Sequence, residues 1–274
     1  VRGNSTGQNS LDEVGGGIAV RGGHLYLENS IIENNSADAG GGIYFRSEGN
    51  FRLNNVKIRN NIAYYNGGGI FSKYAWPFFT NTEITNNTAK NGGGITLSMP
   101  RKVEIHKNLL IADKHADENG GGASLFFNSF KTTNSTFANN TAEYGSCIYA
   151  GNLKLDLKNS ILFGFDKPQQ IYCDPEADSC FITIDHSLIQ GGKYYIKTND
   201  NAQINWLEGN INQNPEYIES GEFPYQINDN SPCIDSGSTD TTGITEFDLA
   251  GNLRFINSRI DMGAYEWDIF VGSN

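Results

Sequence analysis

Apolar residues along this chain come in short alternating runs: Leu25 and Leu27, Phe51 and Leu53, then Leu153, Leu155 and Leu157. Alternation with period two over a few residues predicts half-buried strands. Gly, Asn and Asp separate the runs and mark turns. The whole pattern then recurs. Asn29 to Ile43 reads NSIIENNSADAGGGI, Asn55 to Ile70 NVKIRNNIAYYNGGGI, and Asn81 to Ile95 NTEITNNTAKNGGGI. Asn108 to Ala123 and Asn134 to Ile148 follow suit. The leading Asn falls at 29, 55, 81, 108, 134 and 159, with His186 in the next place. The Gly cluster begins at 15, 40, 67, 92, 120 and 145. Two markers keeping one period define an internal repeat.

A unit of this length holds about three short strands and three turns. Stacked units set each strand parallel to its counterpart, about 4.8 Å away. The expected fold is all-β: a single-stranded right-handed parallel β-helix, about 26 residues per coil, with an irregular C-terminal cap. Its interior ladders read Ile32, Ile58, Ile84, Ile111, Phe137, Leu162 and Ile18, Ile43, Ile70, Ile95, Ala123, Ile148. Ala37, Ala63, Ala89, Ala116 and Ala142 mark a corner that takes a small residue. Asn35, Asn61, Asn87 and Asn140 form an amide ladder able to hydrogen-bond from coil to coil. Lys114 interrupts it, so the coil at 108–123 is expected to be the least regular. GGGI follows a loop and opens a strand, not a helix, so it is no phosphate loop.

Composition narrows the partners. The 274 residues carry a net charge of −11, which leaves no basic stripe to neutralise nucleic-acid phosphates. No apolar run reaches membrane-spanning length. The chain opens on Val1 in mid-coil, with Asn4-Ser5-Thr6 in the place of Asn87-Thr88-Ala89, and reads as a mature or trimmed product. An open parallel edge there invites another chain, which suggests a head-to-tail homo-polymer. Repeats are expected over 1–209 and a capping region, continuous with the helix, over 210–274.

Candidate chemistry is sparse. Trp76-Pro77-Phe78-Phe79 places aromatic rings at a turn, with Tyr64 and Tyr65 one coil earlier. These rings either pack on adjacent coils or contact a glycan or a host or matrix protein. Cys173 and Cys180 flank a short loop and are disulfide candidates; Cys147 and Cys233 either pair or stay free. Asp235, Asp240, Asp248 and Asp261 could gather round a Ca²⁺ ion; no other cofactor is indicated. Alternatively, Arg254 pairs with Asp248 or Asp261 to pin the cap. An enzyme on this scaffold needs a carboxylate pair about 5–9 Å apart, or a Lys or Arg base beside acids. A groove lined by three or more acids or bases in adjacent coils would mark one. Asp156, Asp185 and His186 form no recognisable constellation in the sequence, and no catalytic residue is assigned.

Two resemblances follow. GGGI with the IxxN tetrads Ile32 to Asn35, Ile58 to Asn61 and Ile84 to Asn87, and Phe137 to Asn140, resembles the repeats of polymorphic outer membrane proteins over residues 15–165. Those are right-handed β-helix passengers of adhesins; this chain departs from them in having no C-terminal barrel. The tail is similar to the choice-of-anchor Q group of secreted bacterial β-helix proteins. The matching residues are Asn214-Pro215, SPCIDSG from Ser231 to Gly237, Asp248, Gly251, Arg254, and DMGAYE from Asp261 to Glu266. The second resemblance implies a secreted or surface-anchored protein. The first reading is therefore an extracellular structural or adhesive module, with a possible filament form; a polysaccharide lyase, glycoside hydrolase or carbohydrate-binding module is the alternative.

Overall fold

A computed structural model describes residues 1–4, 14–100, 102, 104–164, 169–198, 200, 202–256 and 259–267. The strands stack in parallel register, each residue beside its equivalent one coil away: Ile43 with Ile70, Ile32 with Ile58, Ile111 with Phe137. The product is a solenoid of about seven coils.

Each coil has four strand segments, one more than the alternation of apolar residues suggests. Face A follows the glycines, as in Ile43–Arg46, Ile70–Lys73 and Ile95–Ser98. Faces B and C lie before and after the leading Asn, within single long strands such as Asn50–Arg59 and Trp76–Thr85. Face D comprises Ser36–Ala39, Ile62–Asn66, Thr88–Asn91 and His115–Asn119. The leading Asn is the extra corner. Asn29, Asn55, Asn81, Asn108, Asn134 and Asn159 have φ of 47–53°, and His186 has 42°. Asn enters the left-handed region more readily than other side-chain-bearing residues, so it bends the strand without a loop. The first glycine of each cluster makes another corner at φ 63–71°. The glycine after it admits no side chain: a Cβ on Gly68 would lie 2.4 Å from the Gly93 carbonyl of the next coil.

Alternate side chains point inward and are buried, among them Ile32, Ile58, Ile84 and Ile111. An aromatic stack crosses the coils: Phe45 on Phe51 at 4.8 Å, Phe51 on Phe79 at 5.0 Å, Phe79 on His106 at 5.0 Å, His106 on Phe130 at 4.7 Å. Desolvation pushes the His106 imidazole down to about 3. Its Nδ1 accepts the Phe79 N–H at 3.1 Å, so it is a neutral member of the core.

The amide ladder forms as the repeat suggests. Asn35 Nδ2 donates to Asn61 Oδ1 at 2.9 Å, and Asn61 Nδ2 to Asn87 Oδ1 at 3.0 Å. The Asn4 N–H donates to Asn35 Oδ1 at 3.0 Å, which puts Asn4 in the phase of Asn35 and Asn87. The coil of Lys114 sets Ala116 beside Ala89, and its register shifts before Asn119 as face D does in the earlier coils. The Lys114 N–H still meets Asn140 Oδ1 at 3.2 Å. The disturbance lies in the side chain: Lys114 is 1% exposed and its Nζ has no hydrogen-bond partner. Burial pushes that amine well below the usual lysine range.

The irregular C-terminal region lies along the flank rather than over the last coil. Tyr225, Ala264 and Tyr265 pack on Leu110, Ala112 and Ala138 of face C. Ile227, Cys233 and Met262 pack on Ile161 and Leu188 of the same face. Ala202, Ile204 and Trp206 in the last long strand stay only half-buried. The docking is close: a Cβ on Gly263 would lie 2.7 Å from Ile161 Cδ1 and 2.9 Å from Thr136 Oγ1. We call this segment the clasp.

Candidate binding face

The clasp is pinned by one buried ion pair, and the partner is neither Asp248 nor Asp261. Arg254 is fully buried; its guanidinium donates to Glu266 Oε1 at 2.7 Å, Asn108 Oδ1 at 2.7 Å and the Ala264 carbonyl at 2.9 Å. Asp248 and Asp261 instead accept backbone N–H groups. Asp248 holds Asn252 and Glu266 at 2.7 and 2.8 Å, and Asp261 holds Asp235 and Trp267, each at 2.7 Å. Burial pushes the Asp261 carboxyl up to about 6. The proposed Ca²⁺ set of Asp235, Asp248 and Asp261 is thus built into turns of the clasp. Among the described residues no group of three or more His, Cys, Asp or Glu is arranged to hold a metal.

Nor do the predicted aromatic residues form one patch. Trp76 to Phe79 lie on a strand, not at a turn. Alternation sends Pro77 and Phe79 inward; Phe79 is fully buried and belongs to the core stack. Trp76 is exposed on face B, and Phe78 beside it is capped by the Arg52 guanidinium 4.8 Å from its ring centre. Arg52 is fixed in turn by a two-pronged pair with Glu104 at 2.6 and 2.7 Å. Tyr64 and Tyr65 pack edge to face at 4.6 Å on face D. Face A lies between them and Trp76 along the chain, and no described ring contact joins the two groups.

Cys173 and Cys180 are buried free thiols in this structure, as are Cys147 and Cys233. The first two still interact, since the neighbouring Cys173 thiol lowers that of Cys180. The pairing expected for them is not formed here. Cys147 donates instead to Gln170 Oε1 at 3.0 Å.

An opening with convergent polar groups lies on face B, where a clasp loop overhangs it. It encloses about 360 Å³ between the strand surface and residues 240–243. Lys131, Asp156, Lys158 and Asp185 rise from adjacent coils, and Asp240 comes from the clasp. Their charges meet in pairs: Lys131 with Asp156 at 3.1 Å and Lys158 with Asp240 at 2.7 Å. The Lys158 ammonium holds the Asp240 carboxyl well below its usual range. Asp185 accepts from His186 Nδ1 at 2.8 Å, and His186 Nε2 faces the Arg259 guanidinium at 3.3 Å. That assigns the imidazole proton to Nδ1. Exposed Ile105 and Leu207 give the groove apolar edges. Sequence reasoning singled out Asp156, Asp185 and His186 but missed Lys131 and Lys158 and placed Asp240 elsewhere. The one-coil spacings of Lys131 with Asp156 and of Lys158 with Asp185 were the available signal.

A family model described as a right-handed beta helix region matches residues 2–162, more than half of the sequence. The chain belongs to this right-handed β-helix family. No curated protein and no solved structure matches it. The match takes in all six leading-Asn corners, from Asn29 to Asn159, whereas the clasp and part of the groove lie beyond it.

Proposed function

We propose that this β-helix is an extracellular structural and adhesive module, secreted or held at a cell surface, that lays an extended glycan along face B. The observation that carries the reading is the pairing of charge in the groove. Lys131 and Lys158 each hold a carboxylate by charge, and His186 donates its Nδ1–H to Asp185. Such a surface hydrogen-bonds a neutral polymer without presenting a reactive acid. Trp76 continues the same face toward the first coils and offers a ring to a sugar. Stiffness suits the role: long parallel ladders and a buried amide column keep the face from deforming, so little ordering entropy is lost on binding.

A second reading has one observation in its favour. The groove does carry acids and bases in adjacent coils, Asp156 and Asp185 among them, as a carbohydrate-active enzyme would. Incubation of the intact chain with a panel of neutral and charged oligosaccharides separates the two. Retention without new reducing ends or unsaturated products, lost on Lys158→Ala with Asp156→Ala, supports adhesion. Product formation abolished by Asp156→Asn or Asp185→Asn would replace adhesion with catalysis. No retention and no turnover would remove both.

A further inference from the structure

Among the described register pairs of this β-helix that join two charged residues, the signs match only at one pair. Elsewhere Glu33 lies beside Arg59, Lys57 beside Glu83, Lys131 beside Asp156 and Lys158 beside Asp185. The exception is Arg46, which lies beside Lys73 on face A. Continuing the register of Ile18–Val20 on Ile43–Phe45 sets Arg21 on the other side of Arg46. Three cations therefore occupy one column on three successive coils, about 4.8 Å apart, in a chain of net charge −11. Like charges side by side on adjacent strands repel. The other described register pairs of two charged residues avoid that arrangement, so the column reads as a binding feature rather than a folding one.

The column borders a pocket of about 430 Å³ lined by Arg21, Arg46, Tyr44, Tyr74 and a single acid, Glu48. Arg21 and Arg46 are exposed. Lys73 Nζ sits 5.1 Å from the centre of the Tyr74 ring, which steadies the amine beside the pocket. Tyr44 stacks on Phe71 at 5.2 Å with planes 9° apart and forms a fixed wall.

We propose that this column binds an anionic polysaccharide, whose sulfate or carboxylate groups are taken by Arg21, Arg46 and Lys73. Guanidinium forks grip such oxyanions with two parallel hydrogen bonds, and the lysine adds a point charge. The coil step of about 4.8 Å is of the order of one sugar ring, so successive anionic sugars meet successive cations. Tyr44 and Tyr74 offer rings to the apolar sugar faces between the charges. The site lies on face A at the first coils, apart from the face B groove, and stands whether or not that groove binds.

Binding of the intact chain to sulfated, carboxymethylated and neutral dextrans of matched length tests it. In the chain carrying Lys158→Ala with Asp156→Ala, which silences the face B groove, the expected result is retention of one or both anionic dextrans and none of the neutral one. Affinity should fall about 20- to 40-fold between roughly 50 and 200 mM salt, as about three neutralised charges imply. Arg46→Gln and Lys73→Gln should each weaken binding about tenfold, the loss of one charged contact. Lys193→Gln, at the opposite end, should not alter it. Sulfated against carboxymethylated dextran decides which oxyanion is preferred. The proposal fails if neither anionic dextran binds, or if neutral dextran binds equally. It also fails if Lys193→Gln weakens binding as much as Arg46→Gln, since the attraction is then diffuse. Tighter binding of single-stranded DNA would reassign the column to nucleic acid and overturn it.

Discussion

Face C has two halves that differ in what lies on them. In the first coils its outward positions are Ile31, Lys57 and Glu83, and the last two form a salt bridge at 2.9 Å that stays partly open to solvent. From the fourth coil on, the same positions hold Leu110, Thr136, Ile161 and Leu188, each at most 2% exposed. The backbone register does not change between the halves. Only the outward side chains change, because the clasp lies on the second half. Inward ladders thus specify the solenoid, and outward residues record what covers it.

Breaking the clasp's anchor should have the largest effect. Arg254→Met leaves Glu266 buried without its cation, and should cost about 3–5 kcal/mol in chemical unfolding. A loss confined to coils 1–3 would contradict the assignment. Leu110→Ala removes apolar contact under Tyr225 and Tyr265, with an expected loss of about 3 kcal/mol. Glu83→Ala at the equivalent position one coil earlier should change stability by less than about 1 kcal/mol.

Lys114 sharpens the comparison from inside. Burial makes its native amine give up its proton at lower pH than the unfolded chain, which holds one up to about pH 10.4. Over that window the unfolded state binds more protons, so stability should rise with pH toward the unfolded value. Lys114→Asn should flatten that rise, restore the amide ladder and add about 1–3 kcal/mol at neutral pH. Unfolding midpoints between neutral and alkaline pH check both statements. The smallest effect is expected at the exposed pair, where Lys57→Ala should cost well under about 1 kcal/mol.

Much of the solenoid was legible because its ladders are local in phase: Ile32, Ile58, Ile84 and Asn35, Asn61, Asn87 repeat one position each. The fourth segment was not, since a single Asn in the left-handed region bends a strand without the Gly or Pro that usually marks a turn. On sequence alone, Lys57, Glu83 and Leu110 mix charged and apolar residues as a solvated face does. The step from charge to Leu110 in fact marks the edge of the clasp, but reading it requires knowing that a segment over a hundred residues away returns there. The groove was hidden for the same reason: Lys158 meets Asp240 across 82 positions of sequence. Trp76 to Phe79 misled because alternation on a strand splits such a run between core and surface.

Hydrogen exchange on wild type and Arg254→Met, resolved by peptide, tests the division between solenoid and clasp most directly. The expected result is rapid exchange over 217–265 in the variant, with protection kept in coils 1–3 around Ile43–Arg46 and Ile70–Lys73. Loss of protection throughout the chain, or a clasp as protected as in wild type, would contradict it.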